Sequence, residues 1–304
     1  MAFSASECAF EGFRLARRTP MTILIWALAY IVFTAVCFAL VGGSIVALMA
    51  AATELQGATD PSIEQLQPLM AAYAGMAWIL PLAIVFGAVI YTAVMRAVLR
   101  PEMKRFGYMR LGMDEVRVFV VYLVLSNLAF IAAVVIYGIA GVIGGVAGVA
   151  AGDAGGVIAV VLMLAATVLF VWLMVRFSLA LPITVDQQKF AIFDSWNATK
   201  GRGLALFGMT VLVVVMAFVV SILTSIVILP LTFLAGGMSN LAALEGADIG
   251  EILSAMGQAI VIYLIYNGVV SALMLAIFYA PYAAAYRDIH GGAEPVAVEP
   301  TPSM

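Results

Sequence analysis

The residues able to do chemistry in this sequence are few, and most are polar groups set inside long apolar runs. Tyr263, Asn267 and Ser271 recur every four residues, which places them on one face of a helix. Tyr266 lies beside that face, and Ser126 and Asn127 interrupt another apolar run. Buried polar groups of this kind line a path for a small polar molecule or, more commonly, bond one helix to the next at ~0.6–2 kcal/mol each. Asn127, Tyr263, Asn267 and Ser271 therefore form the candidate intramembrane polar site. Arg176 is the one cation near the edge of such a run. It can contact an anionic lipid or phosphate, snorkel to the surface, or pair with Asp186 or Asp194.

The catalytic inventory is thin. No Asp, Glu, Lys, Arg or His falls at the centre of any apolar run, where such groups mark proton relays and ion-coupled carriers. His290 is the single histidine, and no serine or cysteine has a candidate base at a matching depth. Cys8 precedes the first run and Cys37 lies within it, so both read as free thiols. Gly141 and Gly145, and Gly144, Gly148 and Gly152, keep four-residue spacing. They lack the Gly-Lys-Ser/Thr ending of a phosphate loop and suit close helix packing instead, within this chain or between copies. No cofactor or metal is implied, and the expectation is a protein without enzymatic activity.

The cations carry the strongest pattern. Six apolar segments, at 20–51, 71–99, 117–150, 157–182, 204–235 and 257–286, reach the ~20 residues that a helix needs to cross a bilayer. Threading the chain through these six spans puts all 14 Lys and Arg residues on the side of both termini. The other side holds only Glu54, Asp60, Glu64, Asp153, Glu245, Asp248 and Glu251. Positive charge is retained in the cytoplasm, so both termini are expected there. Arg100, Lys104, Arg105, Arg110, Arg176, Lys189 and Lys200 are the candidate contacts for anionic headgroups, at ~1 kcal/mol for each basic residue. The aromatic neighbours of these cations fit a membrane surface better than nucleic acid, and no nucleic-acid partner is expected. Tyr279, Tyr282 and Tyr286 read as part of the interfacial aromatic belt.

The elements behind this pattern follow from composition. Apolar residues make up 65% of the chain and charged residues 10%, against ~45–50% and ~25% in soluble domains. A chain this apolar has too little polar surface to stay dispersed in water. Thr19-Pro20 suits a helix start, Asp114 and Glu115 favour the start of the third span, and Pro81 and Pro230 predict kinks. The arginines before the first run precede too long an apolar stretch for a signal peptide. Short amphipathic stretches around Phe10–Arg17, Met103–Arg110 and Lys189–Lys200 precede spans one, three and five. They predict interfacial helices on the cytoplasmic side and three repeated hairpins. The fold expected is all-α: a polytopic bundle of six transmembrane helices forming one domain over residues 1–290, with a disordered cytoplasmic tail at 291–304.

Three stretches carry a resemblance. They are Arg96-Ala-Val-Leu-Arg-Pro101 leading to Tyr108-Met-Arg-Leu-Gly112 and Asp114-Glu115; Leu181-Pro182 with Asp186, Asp194-Ser-Trp196 and Thr199-Lys-Gly201; and Ala284-Ala-Tyr286-Arg287. Together they resemble a broad group of uncharacterised bacterial six-helix inner-membrane proteins. That group is similar to the membrane domain fused to some glycerophosphodiester phosphodiesterases. The phosphodiesterase domain has no counterpart here, so the resemblance implies a helical bundle in a bacterial inner membrane and transfers no catalytic residue. The function expected is binding of membrane lipids, or of a membrane-protein or second-copy partner, at the basic face. The alternative is a permease for an uncharged or amphiphilic small molecule.

Overall fold

The computed structural model describes residues 4–55, 62–234 and 249–290, and the described chain is helical without a strand. Two short helices, α1 (Ala5–Ala9) and α2 (Glu11–Arg18), lead into α3 (Pro20–Glu54). The second span is built from α4 (Ile63–Met76) and α5 (Ile79–Leu99), and the third from α6 (Met113–Ala151). The fourth joins α7 (Asp153–Phe177) to α8 (Ala180–Gln187). The short α9 (Asp194–Ala198) precedes α10 (Gly203–Leu234) and α11 (Ile249–His290). Six stretches are long and apolar enough to cross a membrane: Pro20–Thr53, Ile63–Leu99, Arg105–Ala151, Ala154–Gln187, Gly203–Leu231 and Gly257–His290. The chain is thus a multi-pass membrane protein. The acidic residues Asp60, Glu245 and Asp248 and the tail at 291–304 lie outside the described residues.

Every expected span is present, and the differences lie at breaks and ends. The second begins at residue 63 rather than 71, because Ser62 and Gln65 close a reciprocal capping box. Its break falls at Ala77–Trp78, and Pro81 sits instead in the first turn of α5, where a missing amide hydrogen is harmless. The fourth span breaks at Ser178–Leu179. Its last part, α8, turns inward and is buried from Ala180 to Val185. Of the three stretches read as amphipathic helices, the first forms α1 and α2 and packs under the bundle, with Cys8, Ala9 and Leu15 in the core. The second is a tight turn, with left-handed backbone at Phe106, Gly107 and Tyr108. The third contributes only the single turn of α9.

That turn is costly for Phe106 and Tyr108, since left-handed backbone outside glycine stores ~1–3 kcal/mol. Three hydrogen bonds hold it. Trp26 Nε1 donates to the Gly107 carbonyl at 2.7 Å, the Tyr108 hydroxyl donates to the Pro101 carbonyl at 3.1 Å, and Arg96 Nη1 donates to the Tyr108 carbonyl at 3.3 Å.

The core is concentrated where the cations gather. α11 runs through the centre against α3, α2, α5 and α10. Its alanines Ala276, Ala280, Ala283, Ala284 and Ala285 are fully buried, which lets those neighbours approach. Glycine does the same at two other contacts. A Cβ on Gly268 of α11 would lie 2.4 Å from Ile31 Cγ1 of α3, and one on Gly155 of α7 would lie 2.1 Å from the Ala147 carbonyl oxygen of α6. Within the glycine-rich end of α6, Gly144 packs on Ala159 of α7, so that part of the stretch serves packing inside the chain.

Candidate functional site

Two arrangements at the basic end combine polar chemistry with defined geometry. The first is a buried ionic clasp. Arg96 ends α5, and Asp114 and Glu115 open α6, so the short connection brings opposite charges together. Arg96 is 4% exposed and Glu115 5%. Arg96 Nη1 meets Glu115 Oε1 at 2.5 Å, and Nη2 meets Asp114 Oδ2 at 3.0 Å. Asp114 also holds Arg117 at 3.0 Å, with Arg100 at 3.9 Å. Arg100 then donates from Nη2 to the carbonyls of Val185 and Asp186 at 3.0 and 3.1 Å, closing the C-terminal end of α8. The Tyr286 hydroxyl donates to Asp186 at 2.7 Å and ties in α11. Arg96, Arg100, Asp114, Glu115 and Asp186 therefore bind α5, α6, α8 and α11 to one another.

The cations outside this clasp differ in kind. Lys104, Arg105, Arg110, Lys200 and Arg202 are exposed and form no ion pair with the described residues. Between them stand apolar side chains that face outward: Phe106 at 80% exposure, Leu111 at 88% and Leu204 at 89%, with Phe193 nearby. Lys189 is exposed as well but pairs with Asp194 at 2.8 Å. Arg176 pairs with neither Asp186 nor Asp194. Its guanidinium lies between two indoles, 5.1 Å from the Trp172 ring and 5.4 Å from the Trp196 ring. The Ser195 hydroxyl donates to the Arg176 carbonyl at 2.7 Å and fixes α9 beneath this stack. Of the seven candidate headgroup contacts, then, Lys104, Arg105, Arg110, Arg176 and Lys200 lack a carboxylate, Lys189 is paired at the surface, and Arg100 is committed to the clasp.

The second arrangement is a partly open cavity of about 350 Å³ between α5, α6, α7, α8 and α11. Tyr122, Tyr279 and Tyr282 line it together with Ser126, Ser178 and Phe177. Tyr91 stacks on Tyr279 at 4.3 Å between ring centres and meets Tyr122 at 5.2 Å. Tyr282 bonds Thr210 of α10 at 3.1 Å. Tyr279 and Tyr282 are accordingly interior residues rather than members of an outer belt, because α5 and α10 pack on that face of α11.

The expected intramembrane polar site is not assembled. Asn127 is exposed and donates to the Leu123 carbonyl of its own helix at 2.7 Å. Tyr263 is 42% exposed, with Phe38 at its edge. Ser271 donates to Asn267 Oδ1 at 3.5 Å on the same helix. Asn127 stands on α6 and the other three on α11, and none of the four lines the tyrosine cavity. Among the described residues no group of three or more His, Cys, Asp or Glu could hold a metal ion.

Sequence reasoning missed both arrangements. Arg96 and Arg100 share a helix face by their four-residue spacing, and Asp114 and Glu115 follow after one turn of chain. That juxtaposition was the available signal for the clasp. The cavity had none, since Tyr91, Tyr122 and Tyr279 come from three separate spans.

Comparison with family models, with curated proteins and with solved structures returns no match. The resemblance described above rests on its sequence motifs alone.

Proposed function

We propose that this is a non-enzymatic protein of a bacterial inner membrane, with its basic end in the cytoplasm, that binds anionic lipid headgroups at that end. The observation that carries the reading is the division of labour among its cations. Asp114 and Glu115 are spent on Arg96, Arg117 and Arg100, while Lys104, Arg105, Arg110, Lys200 and Arg202 are left with solvent and with exposed Phe106, Leu111, Phe193 and Leu204. Unpaired cations interleaved with outward apolar side chains suit the headgroup layer, where the chains of lipid meet the apolar groups and phosphates meet the charges. The retention of cations on the cytoplasmic side supports the sidedness.

Replacing Lys104, Arg105 and Arg110 together with Gln tests it. At ~1 kcal/mol for each cation, the triple variant should retain at least tenfold less phosphatidylglycerol in a native mass spectrum in mild detergent. Unchanged phosphatidylglycerol retention in a folded variant would refute the reading.

A further inference from the structure

We propose that the tyrosine-lined cavity holds the ester region and upper acyl chain of one glycerolipid whose phosphate lies at the basic end. This rests on the headgroup reading above and assigns it a second, intramembrane half.

Depth is the first argument. Tyr122 lies five residues past Arg117 on α6, and Tyr279 lies eight residues before Arg287 on α11. At 1.5 Å of rise per residue these two positions stand roughly 7–12 Å deeper than Arg117 and Arg287, which mark the basic end. In a glycerolipid the ester carbonyls follow the phosphate inward at the shallow end of that range, and the first acyl methylenes fill the rest of it. A lipid held by its phosphate at the basic end therefore brings its ester region and upper acyl chain to the depth of this cavity.

Chemistry is the second argument. The wall is mostly apolar, from Met95, Leu125, Met174 and Leu181, and its polar groups are hydroxyls without a formal charge. The Ser126 and Ser178 hydroxyls already donate to carbonyls of their own helices, at 2.9 and 2.8 Å. The phenols of Tyr122, Tyr91 and Tyr279 engage one another in a chain, which leaves one donor, at Tyr279, for an acceptor such as an ester carbonyl. An ionic ligand would find no countercharge in such a wall, and a purely apolar one would leave that donor unused. Ser126 at the rim is exposed, as is Phe130 one turn further along α6, so the opening is continuous with the apolar outer surface.

Photocrosslinking of the full-length protein in nanodiscs tests the assignment. The probe is phosphatidylglycerol carrying a diazirine on its acyl chain near the ester. Crosslinks should concentrate on peptides containing Leu125–Ala129 and Met174–Leu181, and an excess of unlabelled diester phosphatidylglycerol should remove them. The diether analogue, which has no carbonyl, should compete about three- to tenfold less well, the equivalent of one hydrogen bond. Ala129→Phe should cut these crosslinks at least fivefold by filling the space. Should that variant fail to fold, Tyr279→Phe keeps the shape and should erase the difference between the diester and diether competitors. Crosslinks spread evenly over the outward faces of the spans, or equal competition by both analogues, would overturn the proposal. The cation triple variant separates the two readings. Loss of overall lipid retention with no cavity crosslinks in the unsubstituted protein sinks the cavity alone, whereas cavity crosslinks with charge-independent retention sink the headgroup reading alone.

Discussion

The two ends of this bundle are held together in different ways. At the basic end consecutive residues are buried on every side: Ala93 to Val98 of α5, Ala180 to Val185 of α8 and Ala283 to Tyr286 of α11. Hydrogen bonds and ion pairs join α5, α6, α8 and α11 there. At the opposite end α6 and α7 pack chiefly on each other, and Val146, Val149, Val157 and Val161 face outward, with Val149 at 92% exposure. The contrast follows from the solvent. Lipid tails are as apolar as Val or Leu, so apolar side chains gain little by leaving them for one another. Cohesion inside a bilayer comes from polar ties and from small residues that permit close approach. The polar ties are concentrated at the basic end, whereas the opposite end has the close approaches of Gly144 to Ala159 and of Gly155 to Ala147.

The clasp should therefore carry the largest single effect. Glu115→Ala leaves Arg96 buried without its closest partner and should cost about 3–5 kcal/mol, read as thermal unfolding in detergent. Replacing both Arg96 and Glu115 with Leu should cost less than the single change, because no lone charge is left behind. Val149→Ala, at the other end, should stay within about 0.5 kcal/mol. Equal losses at the two ends would erase the distinction drawn between them.

Close approach comes next. Gly268→Leu forces α11 away from Ile31 and the Ala27 carbonyl of α3, and should cost about 1–3 kcal/mol. The same measurement checks it, and a neutral result would show that the α3–α11 contact is not tight.

Cys8 comes last because it has no effect of this kind at neutral pH and is visible only in alkali. Burial, and then the Asp288 carboxylate that accepts its hydrogen bond at 3.4 Å, push the thiol up from 9.0 to about 12. The folded state keeps the proton while the unfolded thiol ionises above about pH 9. The resulting stabilisation is complete below that pH and is lost as pH rises from about 9 to 12. Melting temperature should fall over this interval more steeply for the native chain than for Cys8→Ala. Iodoacetamide at pH 8 should modify Cys8 only after unfolding.

Much of the fold was legible in the sequence, and less of the site. Span number and approximate limits follow from the length of each apolar run, because a bilayer imposes a minimum length. The inward turn of α8 was not legible. Pro182 marks an end by local rules, yet it stands in the first turn of α8, just after the break at Ser178–Leu179, and the path of α8 depends on α5, α6 and α11. The cations were found, but their roles were not. Arg100 and Arg105 look alike in a loop, and only the position of Asp114 and of the Val185 carbonyl separates a buried tie from a free surface charge. Tyr279, Tyr282 and Tyr286 show their common face by spacing, whereas what covers that face is set by helices distant in sequence.

The bond from Trp26 to the Gly107 carbonyl also bears on biogenesis. It joins the first long helix to the connection between the second and third, so its acceptor emerges from the ribosome only after two spans have been made. The strained turn at Phe106–Tyr108 can then settle against an indole already in place, before the fourth span is synthesised. The latch needs no part of the later helices, because both of its partners lie before α6.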